Sequence, residues 1–214
     1  MPHSPVTRKA LPNHRRAADT GGMAMRGVVE RPAGLRYQDD LITEGEERTL
    51  LERFAALDVT PLVLHGVPSR RLTRAFGVGY DFDSRSTSEV EPIPEYLFGL
   101  RERAAEFAEV DPSTFVEALV TRYPPGATIS WHKDVMVFGA VVVGVSLGSA
   151  SVMRFQRTAA SGERRVFEQP LAPRSAYALT GAARWAWQHS IPAVPAERWS
   201  VTFRQLAERR ARDD

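Results

Sequence analysis

Seven residues near the C-terminal end, Arg198-Trp199-Ser200-Val201-Thr202-Phe203-Arg204, alternate strictly between polar and apolar side chains. A period of two is that of a β-strand, whose successive side chains point to opposite faces of a sheet. One face of this strand is therefore apolar, and the other carries two arginines, a serine and a threonine. Inward charge is costly unless it is paired, so the polar face should line a pocket. The preceding segments agree with a mainly β chain. Strand-length stretches separated by turns fall at approximately 115–123, 128–134, 140–147, 151–157, 164–169, 175–179, 185–191 and 198–206. Ala140 to Leu147 is a continuous apolar run, as in a strand covered on both sides.

Two helices come before these strands. Thr43-x-x-Glu46 is a capping-box pattern, with Leu50, Phe54 and Leu57 at helical spacing behind it. A second helix runs near Ile93 to Val110, with Leu97, Leu100, Ala104 and Phe107 as its buried stripe, and Asp111-Pro112 ends it. The fold class is α+β, mainly β. Eight short strands backed by two N-terminal helices suggest a jelly roll, although strand count alone does not separate it from other sandwiches.

Composition narrows the chemistry open to such a pocket. At 214 residues the chain suits one domain, read as 31–206, with a charged tail at 207–214. It has no cysteine, so any metal is held by nitrogen and oxygen ligands. The longest apolar run, Phe138 to Leu147, is too short to span a bilayer, and the N-terminus lacks the apolar core of a signal peptide. The expectation is a cytoplasmic monomer with no membrane partner. Residues 1–30 lack apolar periodicity and read as a disordered basic tail, and one hypothesis is that translation starts at Met23 or Met25. Five cations against two acids give that tail +3, which leaves residues 31–214 at −1 of the chain's +2. Net charge is thus no argument for nucleic acid, and the cluster Arg70, Arg71, Arg74 reads as a solvated face.

Three residues stand out as metal ligands. His132 and Asp134, two apart on the expected strand 128–134, point to one face, and His189 on a distant strand would complete a 2-His-1-carboxylate set. Such a set suits Fe(II) and leaves positions for a co-substrate and O₂. Each histidine must be neutral to bind, so occupancy is expected to fail on acidification through about pH 6.5. Arg198 and Arg204 offer forks that match carboxylates.

The ordered set Arg122-Tyr123-Pro124-Pro125-Gly126, His132-x-Asp134, Trp187-x-His189-Ser190-Ile191 and Arg198-Trp199-Ser200-Val201-Thr202-Phe203-Arg204 resembles the AlkB-like 2-oxoglutarate/Fe(II)-dependent dioxygenases over roughly residues 35 to 206. The resemblance implies a double-stranded β-helix that uses Fe(II), 2-oxoglutarate and O₂. It implies that Arg198 grips the distal carboxylate of 2-oxoglutarate, that Arg204 lies toward the metal, and that Tyr123 adds a hydroxyl contact. Thr121 and Ser200 stand where the DNA-repair members carry asparagine, and here they keep a hydrogen-bonding group of shorter reach beside the co-substrate.

The same resemblance implies an alkylated nucleobase in DNA or RNA as substrate, presented as a single strand or as a flipped base. Phe76 to Phe82, then Arg85, resembles the lid over the substrate, with Tyr80 and Phe82 placed to hold a flat ring. Read from the residues alone, this stretch is equally a strand packing two aromatics. Trp131, Trp185 and Trp187 read as core. Thr73 and Met136 stand where the best-known bacterial member has a lid tryptophan and an acid. Two alternatives stay open: the same chemistry on a protein side chain or small molecule, and a non-catalytic jelly-roll metal-binding or sensor protein.

Overall fold

The computed structural model describes residues 26–64 and 66–207. Most of the expected tail, and the C-terminal residues from 208, lie outside the described residues. In chain order the elements are β1 (Val28–Val29), β2 (Leu35–Gln38), α1 (Glu44–Ala55), β3 (Thr60–Leu64), β4 (Val67–Asp81), β5 (Ser86–Glu89), α2 (Phe98–Ala108), β6 (Glu117–Tyr123), β7 (Ile129–His132), β8 (Phe138–Gly148), β9 (Ser151–Thr158), β10 (Arg164–Leu171), β11 (Ala176–Leu179), α3 (Gly181–Trp185), β12 (Gln188–Ile191) and β13 (Arg198–Leu206). They form two facing sheets. The larger runs β2-β11-β8-β13-β6-β4-β3, with β5 paired to β4, and the smaller runs β1-β10-β9-β12-β7. This is the expected jelly roll backed by two helices.

Both helices start and stop for local reasons. Thr43 caps α1: its backbone N–H donates to Glu46 Oε2 at 2.8 Å while Glu46 N–H donates back to Thr43 Oγ1. Arg103 on α2 donates to the same Glu46 carboxylate at 2.8 Å and ties the helices together. α2 is shorter than its periodic pattern because Pro94 precedes a turn of 3₁₀ helix at Glu95–Leu97, and Glu109 adopts a left-handed cap, φ 60°. The expected stripe of Leu97, Leu100, Ala104 and Phe107 is buried.

The alternation in β13 has a structural meaning on each face. Trp199, Val201 and Phe203 pack against Leu50 and Phe54 of α1 and against the buried face of α2, in one continuous core. Arg198, Ser200, Thr202 and Arg204 turn inward, between the sheets. A second core of Leu35, Val142, Met153, Phe155, Leu179 and Trp187 fills the inter-sheet space around them. The central strand is thus covered on both sides, as is the apolar stretch of β8 beside it.

Four expectations change. Val28 and Val29 pair in parallel with β10, and Glu30 bridges Arg157 and Arg165, so the folded part begins inside the expected tail. β2, β3 and β5 add short strands outside the expected set, and β4 extends the strand reading of Phe76 to Phe82 back to Val67. The strand expected at 185–191 begins only at Gln188, after the short helix α3. The expected strand 128–134 ends at His132.

Phe54 is fully buried, with its ring 5.6 Å from that of Trp199. Phe54→Ala should therefore destabilise the fold by about 3–5 kcal/mol in chemical denaturation. A loss below about 1 kcal/mol would show that the helices do not cover the sheet in solution.

Candidate metal and co-substrate site

Cross-strand register sets the two histidines. His132 at the end of β7 is the direct partner of His189 on β12, and their rings lie 4.3 Å apart. His132 Nδ1 lies 2.9 Å from the Ser130 carbonyl. A carbonyl only accepts, so Nδ1 carries the proton and Nε2 keeps its lone pair. Asp134 lies beyond the strand, so strand alternation does not aim it. Its Oδ2 is 3.8 Å from His189 Nε2, and one donor atom from each of the three residues lies within 4.8 Å of the others.

What places Asp134 is an arginine that the sequence pattern did not single out. Arg184 of α3 is buried, stacks 4.0 Å over Trp185, and donates to the carbonyls of Asp134, Val135, Phe138 and Gly139 at 2.9–3.2 Å. It clamps the loop that carries the carboxylate. In the sequence it sits in an alanine-rich stretch with no flanking pattern to suggest burial.

Charge holds the set in a metal-binding form. Burial alone would raise the Asp134 carboxyl, but Arg204, then the two histidines, outweigh it and hold it well below the ordinary carboxylate range. Arg204 donates to Asp134 Oδ1 at 3.3 Å and to Glu117 Oε2 at 2.8 Å. Glu117, the register partner of Arg204 on β6, is buried and was not anticipated; burial pushes its carboxyl up against the pull of Arg204. Burial lowers both histidines despite Asp134, His189 to about 4. They stay neutral at neutral pH, with lone pairs available. Nitrogen and oxygen donors in this number fit a divalent iron ion.

A second feature lies farther along the same inward face. Arg198 is 1% exposed, and its Nη2 donates to Ser146 Oγ at 2.8 Å. Its Nε and Nη1 are buried with no acceptor among the described residues. The guanidinium lies 4.8 Å over the Tyr123 ring, and register pairs Arg198 with Tyr123 and Ser200 with Thr121, so four of the five expected co-substrate residues adjoin, while the fifth, Arg204, lies at the metal donors. Tyr177 joins them unforeseen. It faces Gly144, where a Cβ would come within 2.4 Å of the Tyr177 hydroxyl and 2.2 Å of its ring, so only glycine leaves that ring its place. Burial pushes the Tyr177 hydroxyl up, so it remains a proton donor. A guanidinium with two idle buried N–H groups, surrounded by hydroxyls, fits a carboxylate.

Beside the three donors opens a cavity of about 540 Å³ whose lining includes His132, Asp134, Tyr80, Phe82, Trp131 and Arg71. Tyr80 and Phe82 meet edge to face at 4.9 Å. The expected lid is thus the end of one fifteen-residue strand, β4, with Phe82 in the turn just beyond it, which agrees with the strand reading of this stretch. Trp131 is half-buried and lines the cavity instead of joining the core, and Trp185 is half-buried under Arg184. Trp187 is core, as expected. Arg85 is exposed in the β4–β5 turn with φ 55° and does not reach the cavity. Thr73 lines it, whereas Met136 points to solvent at 73% exposure.

The fold and the donor set are those of a metal-dependent oxygenase, and comparison with known proteins agrees. A family model for the 2OG-Fe(II) oxygenase superfamily matches residues 58–210. Over 181 residues, 74% of this chain and 51% of the relative, it is 27% identical to an Arabidopsis thaliana protein named "Alkylated DNA repair protein ALKBH8 homolog". The chain thus spans about half that relative's length. Its fold is similar to that of OsALKBH1, with TM-score 0.59 and 16% identity over 82% of this chain and 98% of that one. It is also similar to a Pseudomonas putida prolyl-4-hydroxylase, with TM-score 0.55 and 15% identity over 81% and 92% of the two chains. The chain belongs to the 2OG-Fe(II) oxygenase superfamily. That family uses Fe(II), 2-oxoglutarate and O₂.

Two outcomes test this geometry. Arg184→Met should weaken Fe(II) binding roughly 10- to 100-fold, because the carboxylate loop loses its clamp; unchanged affinity would refute the clamp. A lowered histidine pKa means that protons compete with metal only at lower pH. Occupancy should therefore persist at pH 5.5, where an ordinary imidazole is mostly protonated, and fall toward pH 4. A midpoint at or above pH 6.5 would contradict the burial of these rings.

Proposed function

We propose that this chain oxidatively demethylates alkylated nucleobases in DNA or RNA, acting in the cytoplasm, with His132, Asp134 and His189 holding Fe(II). The observation that carries this reading is the space between the two sheets. The three donors come from the smaller sheet and the loop after β7, the idle fork of Arg198 comes from β13 of the larger one, and an aromatic-walled cavity opens beside His132 and Asp134. Arg198, with Tyr123, Thr121 and Ser200, holds the distal carboxylate of 2-oxoglutarate, and Arg204 steadies Asp134. Iron held there would supply the O₂ chemistry, with 2-oxoglutarate as reductant: one oxygen atom would enter succinate, with loss of CO₂, and the other a substrate C–H bond. When that bond belongs to an N-methyl group, the N-hydroxymethyl product breaks its C–N bond, releasing formaldehyde and leaving N–H. The protein's part is to orient the ring between Tyr80, Phe82 and Trp131 and to keep charge balanced beside it.

A second reading keeps the chemistry but acts on a protein side chain or small molecule, favoured by Thr73 on the cavity wall and the −1 charge of residues 31–214. Salt separates the two, because contacts to phosphates weaken steeply as salt rises.

Incubation with Fe(II), 2-oxoglutarate, O₂ and methylated single-stranded DNA should release formaldehyde equal to the extra succinate. His132→Ala should abolish both. Succinate that DNA does not change would move the substrate to peptides or metabolites.

A further inference from the structure

The strand β4 supplies one wall of the cavity. Ser69, Arg71, Thr73 and Ala75 all line it, as strand alternation requires, while Arg74 on the opposite face pairs with Glu91. The β4–β6 register sets Leu72 against Arg122 and Thr73 against Thr121. One step farther along, Arg71 comes beside Tyr123. The expected solvated arginine cluster is therefore split, and its middle member faces the metal donors.

Arg71 differs from Arg204 and Arg184, the other two arginines beside the metal donors. Arg204 has Glu117 and Asp134, and Arg184 has four carbonyls. Arg71 is half-buried and enters no ion pair among the described residues, although its charge is felt at His132. Arg70 and Lys133, both exposed, line the same cavity. The acids that line it are Asp134 and Glu117, and Arg204 engages both. The substrate end thus presents cations without an unengaged acid.

We propose that Arg71 sets the charge of the accepted substrate. Its guanidinium donates to an acceptor edge beside the C–H bond to be oxidised, and it disfavours a reacting ring that is itself a cation. The inference rests on the nucleobase reading above and sharpens it. 1-Methyladenine and 3-methylcytosine carry a formal positive charge at neutral pH. 3-Methylthymine and 3-methyluracil are neutral, and two ring carbonyls flank the methylated nitrogen. The second pair offers the acceptors that a guanidinium fork requires, and the first adds a like charge in a partly desolvated cavity.

The test uses full-length protein with single-stranded DNA oligonucleotides carrying one 3-methylthymine or one 1-methyladenine, following formaldehyde and succinate. The wild type should favour 3-methylthymine at least ~10-fold in kcat/KM. Arg71→Gln should lose that preference, slowing the neutral substrate while the cationic one is unchanged or faster. Arg71→Lys, which keeps the charge, should keep the order at a lower rate. Binding of the two oligonucleotides to iron-free protein, read by fluorescence anisotropy, should follow the same order. A wild-type preference for 1-methyladenine, or equal losses on both substrates in Arg71→Gln, would overturn the proposal. So would a rise in the KM for 2-oxoglutarate that matches the loss, since Arg71 would then belong to the co-substrate pocket. If neither oligonucleotide yields formaldehyde while succinate is still released, the nucleobase reading itself fails and this inference falls with it.

Discussion

The rest of the structure depends on a strand that is buried on both faces and yet carries two arginines. The apolar side of β13 packs under the helices, and its polar side faces the space between the sheets. Desolvating a guanidinium costs on the order of several kcal/mol unless charge and hydrogen bonds offset it. Arg204 has that compensation in Glu117 and Asp134. Arg198 has only the Ser146 hydroxyl, with two N–H groups left idle. On the proposed reading a dicarboxylate would bring the missing charge, so that the co-substrate would complete the electrostatics of the core as well as the chemistry.

The same strand couples the two halves of the site. Arg204 hydrogen-bonds the carboxylate expected to hold iron, and Arg198, six residues away on the same face, is the residue proposed to hold the far end of the co-substrate. Both sit on a strand hydrogen-bonded along both edges, to β6 and β8. Sites built on paired strands hold their geometry more tightly than sites on loops. The one donor off a strand, Asp134, is the one that needs Arg184 as a clamp. Tyr177 and Gly144 show the same economy, a ring kept in the pocket by the absence of a single Cβ across the ladder.

Much of this was legible in local pattern. The β13 alternation, the Thr43–Glu46 box and the α2 stripe each report a period or a spacing, and each is realised. What was hidden depends on register and on chain paths that no local window contains. Glu117 became visible only once β6 lay beside β13, and Tyr177 only once β11 lay beside β8. Arg184 looks like a surface residue of a short helix until the 134–139 loop folds over it. Asp134 was identified for the wrong reason, since β7 stops before it. Trp131 was assigned to the core by assuming a regular strand up to Asp134, and near the strand end it lines the cavity. Arg71 was grouped with Arg70 and Arg74 by proximity in sequence, whereas alternation along β4 separates it from Arg74.

The most direct measurement is thermal unfolding of the wild type and of Arg198→Met, each with and without 2-oxoglutarate in the presence of Mn(II) as a redox-silent stand-in for Fe(II). If the buried fork is the seat of the co-substrate, the ligand-free variant should melt no lower than the wild type, because an uncompensated buried charge has been removed. 2-Oxoglutarate should raise the melting temperature of the wild type and leave the variant unmoved. A ligand-free variant that melts far lower, with 2-oxoglutarate still stabilising it, would make Arg198 a structural residue and contradict the account.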